Sequence, residues 1–327
     1  MSSTRSAASP LSLDDVVAAR EAIGGRLHRT PTFTSATLSR LTGAEVFLKA
    51  ELFQRTGSFK PRGVLTKLAS LTADEKRAGV ITISAGNHAQ AVAWASAREG
   101  IDALVVMWET ASATKVEAAR GYGAAVDTEA AGIPEAFERL ERLRVESGRT
   151  LVHPYDDPVV IAGQGTIGLE ITEDVPDADV VLVQVGGGGL ISGIATAVKG
   201  MRPGTRVVAV EPELSAALHE SLDAGRPVTV QPTSIADGLA GPYAGERCVE
   251  ICSALGVESV LVSEDELAEG FRFVYARAKL ACEVAGAATT AALLAGKVQL
   301  AGGERVVAVV SGGNIAPETA SAILAAR

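Results

Sequence analysis

Two kinds of segment alternate along this chain. Short β-branched runs stand at EVFLKAE (45–51), GVITIS (79–84), DALVVMW (102–108), VVLVQV (180–185), RVVAVEP (206–212) and RVVAVVS (305–311). Continuous apolar runs of this length predict buried strands. Between them lie alanine-rich stretches with apolar residues at helical spacing, among them AQAVAWASAREG (89–100), ATKVEAARGYG (113–123) and LISGIATAVKGM (190–201). Ser12 followed by Asp15 resembles a capping box and predicts a helix from about Leu13. The alternation predicts an α/β protein with mostly parallel sheets flanked by helices. At ~150 residues per domain the chain suggests two domains. The break at HPYDDP (153–158) is the candidate hinge, and no internal repeat or low-complexity linker interrupts the pattern.

Ligands of such folds sit at the carboxyl ends of parallel strands. Three polar loops follow predicted strands in this way: SAGNH after GVITI, VGGGG after VVLVQ, and SGGN after RVVAVV. The second raises the sharpest question, because Gly186 to Gly189 carry no side chain and each costs backbone entropy on folding. Strand, glycine turn and helix together form an anion site, since the first N–H groups of a helix lack internal partners and carry partial positive charge. A phosphate is the expected guest. The dinucleotide fingerprint fails in every register, and Ile194 stands where the Walker A pattern requires lysine. A flexible turn with no ligand is the plainer alternative.

Composition narrows the picture little. The chain has 327 residues, 47% hydrophobic and 21% charged, and a net charge of −9 that argues against a general nucleic-acid surface. Three cysteines, Cys248, Cys252 and Cys282, and four scattered histidines give neither a disulfide framework nor zinc spacing. The cysteines read as small buried apolar residues of a reducing compartment. The segment MSSTRSAASPLSLDD lacks a hydrophobic signal core and reads as a short disordered arm, and no apolar run reaches 18 residues. A cytoplasmic protein is expected.

Residues 56–63 read TGSFKPRG. Pro61 can occupy a first helical turn, which puts Lys60 at a helix start where the dipole disfavours its charge. An amine that loses its charge easily suits a nucleophile or base; an exposed surface lysine is the plainer reading.

Taken together, Lys60 in TGSFKPRG, SAGNHAQA at 84–91, VGGGGL at 185–190 and SGGN at 311–314 resemble the fold-type II pyridoxal-phosphate enzymes in order and spacing, over essentially the whole chain. Within that group the chain looks most like the threonine/serine dehydratases. The related cysteine synthases usually have a Ser-rich lysine segment and a threonine where His88 stands. The threonine synthases usually have Asp where Pro61 stands. The resemblance implies a tryptophan synthase β-like architecture, with a small α/β domain at 52–153 and a large cofactor-binding domain at 1–51 and 154–327.

It also implies roles. Lys60 would form the internal Schiff base with pyridoxal 5′-phosphate, and Phe59 would pack against the ring. Gly186, Gly187, Gly188, Gly189 and Leu190 would cradle the phosphate. Asn87 would bond the ring hydroxyl, and Ser311 would face the pyridine nitrogen. Ser84, Ala85, Gly86, Asn87 and His88 would hold the substrate carboxylate. Glu283, in CEVAGAA, aligns with a family glutamate near the cofactor, although the family usually has Pro or Gly where Val284 stands. Singly, Asn87 could cap a helix, Ser311 and Asn314 could shape a turn, and Glu283 could be a surface charge.

The implied reaction is β-elimination from a β-hydroxy L-amino acid, threonine or serine by default, to a 2-oxo acid and ammonia. The freed Lys60 amine would take the Cα proton, and a hydroxyl at Ser311 holds a ring-nitrogen proton less strongly than a carboxylate would. A hydroxyaspartate dehydratase and an amino-acid (serine) racemase are the alternatives on the same scaffold; a non-catalytic phosphate-binding protein is the remote one. Serine racemases of this family carry a serine directly before the Gly-Asn pair, where this chain has Ala85. The pocket wall near Tyr155 and ADGLAGP (236–242) leaves the substrate open. Some relatives bind a cation near the segment that here reads VEPELSAAL (210–218); Glu211 is present, but Ala216 and Ala217 replace acidic residues, so no strong divalent site is expected. A homodimer is expected. So is the absence of a regulatory domain, because the chain ends 13 residues past Asn314.

Overall fold

The computed structural model describes residues 11–326, and the N-terminal arm expected at the start of the chain lies mostly outside them. The strands are β1 (Thr32–Thr34), β2 (Glu45–Ala50), β3 (Val80–Ile83), β4 (Ala103–Trp108), β5 (Ala125–Ala130), β6 (Thr150–Leu151), β7 (Val180–Gln184), β8 (Arg206–Pro212), β9 (Glu258–Val262) and β10 (Arg305–Val310). The helices before the middle of the chain are α1 (Leu13–Ile23), α2 (Ala36–Thr42), α3 (Pro61–Ser70), α4 (Ala73–Ala78), α5 (Asn87–Glu99), α6 (Ala113–Gly121) and α7 (Ile133–Ser147). After it come α8 (Pro158–Asp174), α9 (Gly189–Met201), α10 (Ala217–Ala224), α11 (Glu246–Ala254), α12 (Glu264–Phe273), α13 (Val284–Leu294) and α14 (Pro317–Ala325). Ser12 and Asp15 form the reciprocal capping box at the start of α1.

Two sheets result. The middle of the chain makes a four-stranded parallel sheet in the order β5-β4-β3-β6. Both ends of the chain combine in a six-stranded sheet, β1-β2-β10-β7-β8-β9, in which only the edge pair β1–β2 is antiparallel. Every residue of β3 and β7 is buried, as expected of parallel strands covered on both faces. Val180 and Leu182 pack toward α13, and Val181 and Val183 pack toward α9.

The chain passes from one sheet to the other at residues 51–62 and 151–158. Helix α3, which follows the candidate lysine, lies against α8. Side chains at Gly63 and Gly163 would run into Val160 O at 2.7 Å and Arg62 O at 2.6 Å, so the backbones meet directly. A buried ion cluster pins the same junction. Arg62 bonds Glu51 at 2.8 Å and Glu170 at 2.7 Å, and Lys49 bonds Glu170 at 2.8 Å. Each charge there has several partners, which offsets its desolvation.

Candidate active site

Strand β7 delivers the chain to Gly186, and α9 starts at Gly189. The N–H groups of Gly186 through Leu190 have no acceptor among the described residues. A buried N–H without a partner costs about 1–3 kcal/mol, so a row of them signals a ligand that supplies oxygens. Packing forbids side chains here from the other direction. A Cβ on Gly187 would strike the Tyr155 ring, one on Gly188 would lie 2.6 Å from Cys248 Cβ, and one on Gly189 would lie 2.7 Å from Tyr155 O. Gly188 also has φ +93°, in the left-handed region.

Lys60 stands immediately before Pro61, the first residue of α3. The segment leading to it is wound tightly: Thr56 and Gly57 both have positive φ, 60° and 72°. This segment is docked on the loop after β10. Phe59 N donates to Ser311 O at 3.1 Å, Gly313 N donates to Gly57 O at 2.9 Å, and Ser58 pairs with Gly312. The Lys60 ammonium donates to Pro154 O at 2.8 Å and lies 5.1 Å from the centre of the Phe59 ring. Burial lowers its pKa to about 8, against the pull of Cys248 and Glu283. The amine is therefore poised to shed its proton near neutral pH.

A second line of contacts joins the two sheets. Asn87 Nδ2 donates to Glu283 Oε1 at 2.8 Å, and Asn314 Nδ2 donates both to Asn87 Oδ1 and to Thr56 O at 2.7 Å. Asn87 is the first residue of α5, and the cap position belongs to Gly86, so its side chain is free of the capping role. Burial, then repulsion from Asp237, pushes the Glu283 carboxyl up to about 8, against Asn87, Lys115 and Lys60. His88 is buried with Nε2 3.0 Å from Val152 O; burial and then Lys60 lower its pKa to about 3, so it is neutral. The Ser84 hydroxyl accepts from Gly86 N at 3.1 Å within its own turn.

The structure thus brings Lys60, Phe59, Asn87, Glu283 and Ser311 into one set of contacts. The glycine loop joins them through Pro154 and Tyr155, one touching the lysine and the other the loop. Glu211 lies elsewhere. Its two oxygens accept the N–H groups of Leu218 and His219 at 2.8 and 2.7 Å, where it serves the start of α10. Cys248 and Cys252 are free and fully buried. Sequence reasoning missed the part played by Asn314, which it treated as a turn residue, and the Lys115–Asp237 ion pair at 2.6 Å. It noted the HPYDDP segment only as a hinge and a pocket wall. No local signal marks these, because each depends on a partner more than 90 positions away.

The profile of the family described as pyridoxal-phosphate dependent enzymes matches residues 24–312. The chain belongs to that family. Among individual proteins, it is 44% identical to the L-threonine ammonia-lyase of Thermotoga maritima over 307 residues, which is 93% of this chain and 76% of that protein. The solved threonine deaminase of T.th. superposes with a TM-score of 0.88 at 41% identity, covering 93% of this chain and 99% of that one. Maize serine racemase superposes with a TM-score of 0.91 at 34% identity, covering 95% and 96%. The residues present fit the family's cofactor. The unpaired N–H row suits its phosphate, the half-buried, easily neutralised amine of Lys60 suits its aldehyde, and the close packing around the glycines leaves no room for side chains that would cover the N–H groups.

Proposed function

We propose that the chain is a pyridoxal-phosphate dependent ammonia-lyase that eliminates water from a β-hydroxy L-amino acid, L-threonine or L-serine. The observation that supports this best is the half-buried, easily neutralised Lys60 amine, tied through Pro154 and Tyr155 to a row of unsatisfied N–H groups. The curated relative with 44% identity is a threonine ammonia-lyase. In this reading Gly186 to Leu190 hold the phosphate, Phe59 and Asn87 orient the ring, and Ser311 and Glu283 set its electronics. The backbone and side chains of Ser84 to His88 hold the substrate carboxylate. Residues 52–153 form the smaller domain, and the protein works as a cytoplasmic homodimer.

Pyridoxal 5′-phosphate, when bound, supplies an electron-withdrawing ring that takes up the electrons released at Cα. The rest is done by the chain. The Lys60 amine, neutral above about pH 8, accepts the Cα proton. Asn87, held at both ends by Glu283 and Asn314, keeps a fixed amide orientation beside it. The proton taken up by Lys60 balances the departing β-hydroxyl, so water is lost overall, and hydrolysis of the released enamine gives a 2-oxo acid and ammonia.

Lys60→Ala should abolish 2-oxo acid formation and the visible absorption of a protein-linked cofactor. Cofactor still fixed to the variant by borohydride would sink the assignment. The likeness to serine racemases calls for a second measurement. Racemisation needs a proton-transferring group on each face of Cα, and Ala85 has only a methyl group while the Ser84 hydroxyl is engaged by Gly86. The wild type should form almost no D-serine from L-serine, and Ala85→Ser should add measurable D-serine by chiral chromatography. Abundant D-serine from the wild type would make the enzyme a racemase.

A further inference from the structure

The turn at His153–Asp156 touches both halves of the site and takes no part in the reaction described above. His153 Nδ1 accepts two backbone N–H groups, from Tyr155 at 3.2 Å and Asp156 at 2.8 Å. Those bonds set the turn whose Pro154 carbonyl receives the Lys60 amine. The same turn lays the Tyr155 ring over Gly187, with the His153 ring packed edge-on against Tyr155 at 4.8 Å and 87°. Asp156 carries the turn on to α11, accepting from Arg247 N at 3.2 Å. We propose that His153 is a positioning residue: its unprotonated Nδ1 holds the turn that presents Pro154 O to Lys60 and Tyr155 to the glycine loop, and protonation of Nδ1 releases both. This rests on the assignment of Lys60 as the reacting amine.

A ring nitrogen that accepts two N–H groups has no room for its own proton, so the imidazole must be the neutral Nε2–H tautomer. The surroundings favour that form. Burial lowers the His153 pKa from its ordinary value, opposed by Asp156 and Asp157 and aided by Lys60 and Arg247. Neutral His88 faces it from α5, the Tyr155 phenol is held protonated, and Lys67 engages Asp157 at 2.7 Å. The sign follows from a lowered pKa in the folded chain. The turn is intact above the ordinary histidine range and is lost as pH falls through the lowered value.

Asparagine separates the two functions of this side chain. Its carbonyl oxygen can accept the N–H groups two and three residues on, as in an Asx turn, and it does not titrate in the working range. Leucine fills similar space and accepts nothing. In the holoenzyme labelled with 15N-histidine, His153 Nδ1 should resonate as an unprotonated nitrogen at neutral pH. Its protonation on acidification should coincide with a change in the visible absorption of the bound cofactor and with a second fall of kcat, below the one that protonation of Lys60 sets near pH 8. His153→Asn should keep kcat within about threefold near pH 8, keep the limb set by Lys60 and lose the lower one. His153→Leu should lower kcat by about tenfold or more at all pH values, with KM changed by less than about threefold. A protonated Nδ1 at neutral pH, or an unchanged lower acid limb in His153→Asn, would overturn the proposal. If the leucine variant does not fold, the nuclear resonance and the asparagine profile still decide it. A failure of the lysine assignment looks different: cofactor remains fixed to Lys60→Ala whatever the His153 variants do.

Discussion

Strands β7 and β10 lie side by side and parallel, and each runs out into a glycine-rich loop at the same end of the sheet. The two loops use their backbone in opposite ways. After β7, the N–H groups of Gly186 to Leu190 have no protein partner among the described residues, and a helix begins directly behind them. After β10, the backbone is consumed. Ser311 O takes the Phe59 N–H, Gly312 O takes the Glu283 N–H, and Gly313 N donates to Gly57 O. The first loop leaves a row of N–H groups open, as the proposed phosphate site requires, and the second holds another piece of the chain in place. Glycine serves both because neighbouring atoms leave no space for a side chain, and in the first loop it also leaves the N–H groups accessible. A Cβ on Gly312 would strike Glu283 Oε1 and lie 3.2 Å from Ser58 Cβ.

The largest effect that tests this contrast comes from Gly187→Asp. A carboxylate there opposes the cofactor phosphate, so affinity for pyridoxal 5′-phosphate should fall by about 100-fold or more, on the order of 3 kcal/mol. Affinity for pyridoxal, which lacks the phosphate, should change far less. Gly187→Ala carries the steric clash with Tyr155 without the charge, and it separates the two causes. Equal losses for both compounds in Gly187→Asp would mean that the loop does not read the phosphate.

Gly312→Ala should behave in the opposite way. The added methyl group displaces Glu283 or Ser58, and with them the lysine segment. Both compounds should then bind more weakly by similar factors, and kcat should fall about tenfold, with Tm lower by several degrees. Equilibrium dialysis against both compounds, paired with calorimetry, measures all of this. Selective loss of the phosphorylated compound in Gly312→Ala would erase the distinction between the loops.

The contrast also explains what could be read from sequence. The six β-branched runs became β2, β3, β4, β7, β8 and β10, because strands buried on both faces must be continuously apolar. The segments β1, β5, β6 and β9 escaped notice. AVDTEA is largely polar and partly exposed at a sheet edge, and TL is two residues long, so only pairing with a neighbour makes them strands. The glycine loop after β7 was legible because its function is local: strand, glycines and helix follow one another. The loop after β10 was legible as a candidate ligand loop but not as the anchor of the lysine segment, since the segment it holds lies about 250 positions earlier. Pro154 was illegible as a partner of Lys60 for another reason: a carbonyl oxygen is present at every residue, and only the fold chooses one.

The smallest effect tests what lies beneath Gly312. The Glu283 carboxyl fills that space, and burial pushes it up to about 8, so it is neutral below that pH. A carboxyl whose pKa is raised on folding gives stability that is fully present below its unfolded value near 4.5 and is lost as pH rises through about 8. Lys60 works the other way. Its pKa is lowered on folding, so its contribution is present above its unfolded value near 10.5 and is lost as pH falls through about 8. The two windows meet at about pH 8, so in the wild-type apoprotein the pair together makes a shallow minimum of Tm there. Removing the lysine leaves the Glu283 limb, with that of Glu211 beside it, and takes away the alkaline recovery. Lys60→Ala should therefore lose several degrees of Tm between about pH 5 and pH 8 and regain none of it toward pH 10. The double variant Lys60→Ala, Glu283→Gln keeps the shape and the acceptor for Asn87 Nδ2 without a titrating group there, and it should lose clearly less Tm than Lys60→Ala between about pH 5 and pH 8. Glu211, whose buried carboxyl is also pushed up to about 8, and the histidines His88 and His153, lowered by burial, titrate alike in both variants, so the difference between the two curves belongs to Glu283. A fall in the double variant as large as that in Lys60→Ala would assign the pH dependence to other residues, and the space under Gly312 would then be filled by a carboxylate that stays charged.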